Sequence, residues 1–455
     1  MNEILVSVYI TNYNYGAYLK QAIDSVLNQT IQNFELIIID DGSIDESRSI
    51  IETYRNHPKI KIVFQNNKGL NASNNVALHL ANGKYLIRLD ADDIFEPAAL
   101  GVMSSILEGE PELGLVFPDY YYIDQYGNRI GSHRRHLFDD EVTLYDQPAH
   151  GACTMVRRKF LIDLDGYDES FSCQDGYELW VKFISFHKVS NVNRPLFSYR
   201  QHEFSLSTNQ TNLLQTRKLI KSKFVNKYLS PINTLIIIPV REKTIAGISW
   251  PNFMYSGKSI LEHKVFMVLQ SNSVKKVVIT TDSESLFKVY TDLFKSNIQV
   301  EVVIRSREFA SLKTSINKTI KMIVDLQEEK FDAVGIVSLE YPLIDVSVVD
   351  EAIDTLNIFK SDSVITVIAG QGPYYRHTGQ TLKAILNQDK YTVLEREYLF
   401  SGSGGVAISS YDSFCTNGVL IADRVAHILL DHKHSFGVFS DFDFELFNKY
   451  ISNES

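Results

Sequence analysis

Apolar positions along this 455-residue chain fall into short unbroken runs separated by segments with a helical period. Residues 4–10 (Ile-Leu-Val-Ser-Val-Tyr-Ile) are a run of the kind that fills a strand buried on both faces. Residues 17–28 follow, with Leu19, Ala22, Ile23, Val26 and Leu27 on one helical face. Phe34 to Ile39 is a second apolar run, and it passes directly into Asp40-Asp41-Gly42-Ser43. Asp45 then starts a further helix that extends to Tyr54. This alternation predicts α/β architecture, a parallel sheet covered by helices. Ligands of such sheets sit beyond the carboxyl ends of the strands.

The same grammar restarts in the second half. A strand is expected over 234–239, a helix over 260–271, a strand over 276–281 ending at Asp282, and a strand over 334–338 before Pro342. Between the halves, residues 211–229 contain Arg217, Lys218, Lys221, Lys223 and Lys227 and no acidic residue. Leu213, Leu214, Leu219, Ile220, Phe224, Val225, Tyr228 and Leu229 predict an amphipathic helix there, stopped by Pro231. Two α/β domains of Rossmann-like character are therefore expected, 1–210 and 231–455, joined by a basic linker helix over 211–230. That helix either packs its apolar face between the domains or touches an anionic membrane surface.

Composition narrows the class. Hydrophobic residues make up 44% and charged residues 22%, so each domain can bury a core and disorder is excluded. With 45 Lys+Arg against 55 Asp+Glu the net charge is −10, which argues against nucleic acid as a partner. Cys153, Cys173 and Cys415 are scattered, matching neither a disulfide framework nor a zinc pattern, and a reducing cytosol fits them best. The amino-terminal residues carry a strand pattern with Glu3 rather than a signal peptide. No run reaches the about 18 apolar residues that span a bilayer. A cytoplasmic protein, at most peripheral to a membrane, is expected.

Candidate chemistry begins at Asp90-Ala91-Asp92-Asp93, which ends the apolar run Tyr85 to Leu89. Three carboxylates within four residues repel one another unless a cation sits among them. Oxygen ligands suit Mg2+ or Mn2+, which leave positions open for substrate phosphates and neutralise a diphosphate leaving group. Aspartates are equally at home in turns and helix N-caps, and the cluster alone leaves both alternatives open.

Several ordered motifs accompany the cluster. Val6 to Asn14, Leu19 to Thr30, Glu35 to Ser43, Gly166 to Phe171, Gln174 to Trp180 and Pro195 to His202 together resemble the family 2 glycosyltransferases, over about residues 4–210. The resemblance implies a GT-A type fold and a set of roles. Thr11 and Tyr13 would contact the nucleoside, Tyr13 by stacking on the base. Asp41 would accept from the base imide N–H, which favours uracil or thymine. Asp90 and Asp92 would meet the ribose-diphosphate and, with Asp93, the metal. Asp175 would be the base of an inverting transfer, and His202 would contact the diphosphate or complete the metal shell. Plain alternatives stand beside these: Asp40 orients a turn, Asp175 caps a helix, and His202 is a structural hydrogen-bonder. Two departures matter. Asn74-Asn75 stands where the family often has Arg-Asn, and Gln174 replaces the usual Glu before the base.

Residues 234–455 resemble the cytidylyltransferases that make CMP-activated acidic sugars, through Ile236 to Pro239 with Arg241, Gly257 to Leu261, Val277 to Ser283, Ser338 to Leu343, Gly404 to Ile408 and Asp443 to Leu446. The family's phosphate loop and paired metal aspartates are missing. Glu242 stands where phosphate should approach, and Gly437 and Phe439 occupy the aspartate positions, although Asp441 and Asp443 lie close by. A degenerate companion domain, used for binding, scaffolding or homo-oligomer contacts, is expected. The whole chain is expected to be a metal-dependent, inverting glycosyltransferase that moves a sugar from a nucleotide-diphosphate donor to a surface-glycan or lipid-linked acceptor. The alternatives are a bifunctional enzyme that also activates an acidic sugar, and a non-catalytic scaffold for glycan assembly.

Overall fold

The computed structural model describes residues 3–134, 142, 144–146, 151–201, 210–310, 314–370, 374–377, 380–385 and 399–454. The chain divides into two compact units, Met1–Ile220 and Lys221–Ser455.

In the first unit the opening run becomes β1 (Val6–Asn12), followed by α1 (Gly16–Leu27), β2 (Phe34–Asp40), α2 (Ser47–Glu52), β3 (Ile60–Phe64), α3 (Leu70–Leu80) and β4 (Tyr85–Asp90). The rest comprises β5 (Ile94–Phe95), α4 (Ala99–Gly109), β6 (Leu113–Ile123), β7 (Arg129–His133), β8 (Met155–Arg157), α5 (Arg158–Asp163), α6 (Asp175–Phe186) and β9 (Lys188–Arg200). The helix after β2 begins later than its sequence pattern suggests. Asp45 stands before it, with its carboxylate taken by the Ser47 N–H at 3.0 Å and the Gly16 N–H at 2.9 Å.

The sheet order is β3-β2-β1-β4-β8-β6-β9-β5, with β7 on β6. The first four strands are parallel. Alternation along them feeds two cores. Val6, Val8, Ile10, Leu36, Ile38, Tyr85, Ile87 and Leu89 face one side with α1 and α4. Tyr9, Ile37, Ile39 and Leu86 face the other, with Trp180 and Phe183 of α6. Each fully buried side chain of this kind contributes about 1.5–3 kcal/mol, so the register is strongly specified. Period two also assigns Arg88 to the Tyr9 and Leu86 face. After β1 the chain steps outward through β2 and β3 and then returns to the other side of β1. This reversal opens a crevice at the carboxyl ends of β1 and β4.

The second unit repeats the opening order. Its parallel strands run Val300–Ile304, Val274–Thr281, Thr234–Val240 and Ala333–Val337, then Phe400–Ser410 antiparallel, Ser363–Ala369 and Val425–Leu429. The helix expected over 260–271 stops at Val268.

The basic linker is helix α7 (Gln210–Tyr228), and the division between the units falls inside it. Its faces depart from the expected stripe. Leu219 is exposed, whereas Lys221 is buried and reaches Glu351 Oε1 at 2.6 Å and Thr355 Oγ1 at 2.9 Å. A buried ion pair overrides the periodicity there. Among the described residues no helix is long and apolar enough to cross a membrane.

Candidate active site

Four chain segments meet at the β1–β4 crevice. Thr11 pairs in register with Asp90, the last residue of β4. Tyr13 lies just past β1 and is 46% exposed. The turns after β1 and β2 are zipped together: the Asp41 N–H donates to Asn12 O at 2.8 Å, Asn14 N–H to Ser43 Oγ at 2.9 Å, and Ile44 N–H to Asn14 Oδ1 at 2.8 Å. Gly42 makes this approach possible. Its φ is +85°, and a Cβ would stand 2.9 Å from Asn67 N.

Asp40 orients the turn, accepting from Asn12 Nδ2 at 2.9 Å and Ser43 N–H at 3.2 Å. Asp41 is buried and already accepts three hydrogen bonds, from Gln65 Nε2 (2.7 Å) and Lys68 N–H (2.9 Å) on Oδ1 and from Gly69 N–H (2.9 Å) on Oδ2. It therefore holds the β3–α3 loop. A carboxylate has about four acceptor positions, which leaves one for a further donor.

The three aspartates of the acidic cluster are placed differently. Asp93 is wholly buried and turned inward, where Oδ1 accepts from Arg200 N–H at 2.9 Å and Oδ2 has no partner among the described residues. Burial, with Asp92 and Asp90 nearby, holds its carboxyl well above the usual range. Asp90 lies 2.9 Å from Arg88 Nε. Burial pushes its carboxyl up to about 6, against the pull of Arg88 and with the help of Asp92 and Asp175. The same acids reach Tyr15, whose phenol is pushed up to about 12 by burial and by Asp92, Asp90 and Asp93. Asp92 is half-buried and follows directly in the turn, where its carbonyl accepts from Arg200 Nε at 2.7 Å.

Asp175 enters from the far side of the sequence as the first residue of α6. The N-cap is Gln174, which makes no side-chain capping bond, and Asp175 Oδ2 instead pairs with Arg88 Nη1. Arg88 therefore hydrogen-bonds Asp175 and lies in ionic contact with Asp90. Gly151 closes over the pair, for a Cβ there would stand 2.8 Å from Arg88 Nη2 and 3.3 Å from Asp175 Oδ2. Between α3 and the 166–171 loop, Asn75 accepts from Tyr167 N–H and donates to Tyr167 O, both at 2.9 Å, and Asn71 donates to Asp168 O at 2.8 Å. His202 lies outside the described residues.

Sequence reasoning did not single out Arg88 or Arg200 as site residues, and it noted Asn75 only within the Asn74-Asn75 departure. Arg88 had a signal, a lone charge inside an otherwise apolar strand. Arg200 had none, since its guanidinium donates to Asp92 O, Asp124 O, Gln125 O and Gln21 Oε1 and its backbone N–H to Asp93 Oδ1, all distant in sequence.

Among the described residues no three His, Cys, Asp or Glu side chains converge as a closed metal cage. With Asp93 turned inward and Asp90 on Arg88, the donor set is sparse. It fits Mg2+ or Mn2+ held by one or two carboxylates and completed by substrate phosphates.

Each half of the chain is similar to known proteins. Residues 254–401 match the cytidylyltransferase family model. The chain is 30% identical over 228 residues to a chondroitin synthase of Escherichia coli, covering 50% of this chain and 33% of that protein. It thus spans about a third of that relative. It is also 30% identical over 244 residues to an uncharacterized glycosyltransferase of Methanocaldococcus jannaschii, covering 50% of this chain and 82% of that one. Among solved structures, S. aureus TarS in complex with UDP-GlcNAc aligns with a TM-score of 0.43 and 20% identity, over 50% of this chain and 68% of that one. Residues 7–165 match the model of glycosyl transferase family 2, and with the archaeal relative covered over most of its length the chain belongs to that family.

Proposed function

We propose that the first unit transfers a sugar, with inversion, from a UDP-sugar to a hydroxyl of a glycan. The observation that carries this reading is the Arg88 bridge, which sets the Asp175 carboxylate beside Asp90 at the β1–β4 crevice. Tyr13, Thr11 and the remaining acceptor position of Asp41 line the nucleoside side. Asp92 would hold Mg2+ or Mn2+, which when bound neutralises charge on the diphosphate. Asp175 takes the acceptor hydroxyl proton as that oxygen bonds to the anomeric carbon. The bond from that carbon to the diphosphate breaks, and the nucleoside diphosphate leaves. Similarity to a chondroitin synthase supports a polysaccharide as acceptor.

The test is UDP release from a panel of UDP-GlcNAc, UDP-glucuronate and UDP-glucose with Mn2+ and oligosaccharide acceptors. Wild type is expected to release UDP from at least one donor. Asp175→Asn is expected to lower the rate by about 100-fold or more, and Asp92→Asn to abolish the Mn2+ dependence. Equal rates in all three proteins would sink the reading.

For the second unit we infer a binding or assembly role without nucleotidyl transfer. The place of a phosphate loop is taken by a hairpin, Thr244–Ile245 with Ile248–Ser249, whose Ala246 N–H donates to Asp441 Oδ1 at 2.6 Å. Asp443 is spent on the residues just before its helix, accepting from Phe439 N–H, Ser440 N–H and Ser440 Oγ.

A further inference from the structure

We propose that Arg88 is the positioning residue of the transfer, fixing which oxygen of Asp175 meets the acceptor; the proposal rests on the reading of Asp175 as the base. Arg88 lies in a strand whose other members are apolar up to Asp90, and its side chain is only 6% exposed. A guanidinium buried to that degree is strongly destabilising unless it is paired. Here one guanidinium meets two carboxylates that are remote in sequence: Nη1 donates to Asp175 Oδ2, and Nε lies 2.9 Å from Asp90 Oδ1 as an ion pair without hydrogen-bond geometry.

Three consequences follow from that geometry. Asp175 Oδ2 is committed, while Oδ1 makes no hydrogen bond among the described residues, so Oδ1 is the atom presented to the acceptor hydroxyl. The rotamer of Asp175 is tied to the end of β4, the strand that carries the donor-side acids. A buried carboxylate, Asp175, and a partly buried one, Asp90, also share one cation, which offsets the repulsion between them. Lysine would not reproduce this, because an ammonium is a point charge without the rigid planar fork. The Cys153 N–H donates to Arg88 O at 2.8 Å, and Gly151 packs on Nη2, so the 151–153 segment locks the guanidinium in place.

The experiment compares wild type with Arg88→Ala, Arg88→Lys and Asp175→Asn in the full chain. Release of UDP from UDP-GlcNAc, or from whichever UDP-sugar the wild type turns over, is followed with and without guanidinium chloride. Arg88→Ala is expected to lose about 100-fold in kcat, with KM for the donor within about threefold. Guanidinium should restore the rate by about tenfold in Arg88→Ala and leave Asp175→Asn unchanged, and Arg88→Lys should stay low. No rescue in a folded Arg88→Ala that still binds UDP would overturn the proposal, as would full activity of Arg88→Lys. A double-mutant cycle of Arg88→Met with Asp175→Asn in chemical denaturation keeps the question open to decision if the alanine variant is unstable. The double variant should be no less stable than Arg88→Met alone, and additive losses would count against the ion pair. Should wild type release UDP from no donor, it is the transferase reading that fails, and the cycle still judges the pairing.

Discussion

Arg217 Nε donates to Gln174 Oε1 at 2.6 Å, so the residue in front of Asp175 is held in place by helix α7. Gln174 has φ 64°, a left-handed conformation that costs a non-glycine residue about 1 kcal/mol or more. The Arg217 guanidinium also lies 4.9 Å from the Tyr177 ring centre, and Thr216 Oγ1 contacts Cys173 Sγ at 3.3 Å. These contacts keep the strained N-cap from relaxing and turning Asp175 away. Arg217→Ala should therefore lower turnover several-fold while UDP binding, measured by calorimetry, stays the same. Gln174→Glu should keep activity and raise the unfolding temperature, because a charge-assisted bond is stronger than a neutral one. A weaker UDP affinity in Arg217→Ala would place the helix on the donor side instead.

The neighbouring asparagines of α3 should respond in opposite directions. Asn75 brackets Tyr167 through both backbone groups and reaches Glu169 Oε1 at 2.8 Å. Removing it strands buried donors and acceptors, and Asn75→Ala should cost about 2–3 kcal/mol. Asn74 is completely buried, and neither amide atom has a partner among the described residues. An apolar side chain of similar shape removes that penalty, so Asn74→Leu should be neutral or stabilising by about 1 kcal/mol. Urea unfolding of the two variants checks both signs.

Legibility in the sequence follows the range of the interactions. β1, β2 and β4 could be read because buried strands are written as apolar runs, and Thr11, Asp41 and Asp90 lie at or just past their ends. β3 is partly exposed and carries Lys61, so no such run marks it, and Asp175 heads α6 instead. Which of three adjacent aspartates faces inward could not be read. A turn has no period, and the choice is made by Arg200, 107 residues from Asp93. Lys221 is a similar case. Its partner Glu351 is 130 residues away, and no local pattern announces a buried cation.

That inward turn separates the aspartates experimentally. Asp93→Asn keeps an oxygen for the Arg200 N–H and removes a carboxyl that burial already disfavours as an anion. It should preserve both the fold and Mn2+-dependent UDP release, with an unfolding temperature equal to or above wild type. Asp92→Asn should unfold at the wild-type temperature yet lose the response of UDP binding to Mn2+. Identical behaviour of the two variants would mean that the cluster works as a unit after all.

In the second unit, Asp354 gives a pH signature. Burial, with Asp350 and Glu351 nearby and against Lys221, pushes its carboxyl up to about 7 from 3.8. Between those values the folded chain binds a proton that the unfolded chain has released, so stability falls as pH rises through this window. Asp354→Asn should therefore raise the unfolding temperature at pH 7.5 and lose that advantage as pH approaches 4. A gain that is the same at both pH values would contradict the assignment.

The hairpin at 244–249 leads to a prediction about nucleotide. A triphosphate needs backbone N–H groups and cations aimed at it, and here several such groups are already engaged. The Ala246 N–H is on Asp441, and the Glu242 carboxylate accepts from Ser283 Oγ at 3.0 Å. Arg305 donates to Thr280 O and Val240 O, and Lys264 is buried on Tyr341 O at 2.7 Å. Burial pulls the Lys264 ammonium down to about 7, which further weakens it as an anchor for phosphate. CTP at 1 mM should leave the unfolding temperature of the full chain unchanged and release no pyrophosphate in the presence of an acidic sugar. The measurement is sensitive, since binding at 100 times Kd stabilises by about 2.7 kcal/mol. A saturable upward shift with CTP, or pyrophosphate release that survives Asp92→Asn, would restore the bifunctional alternative.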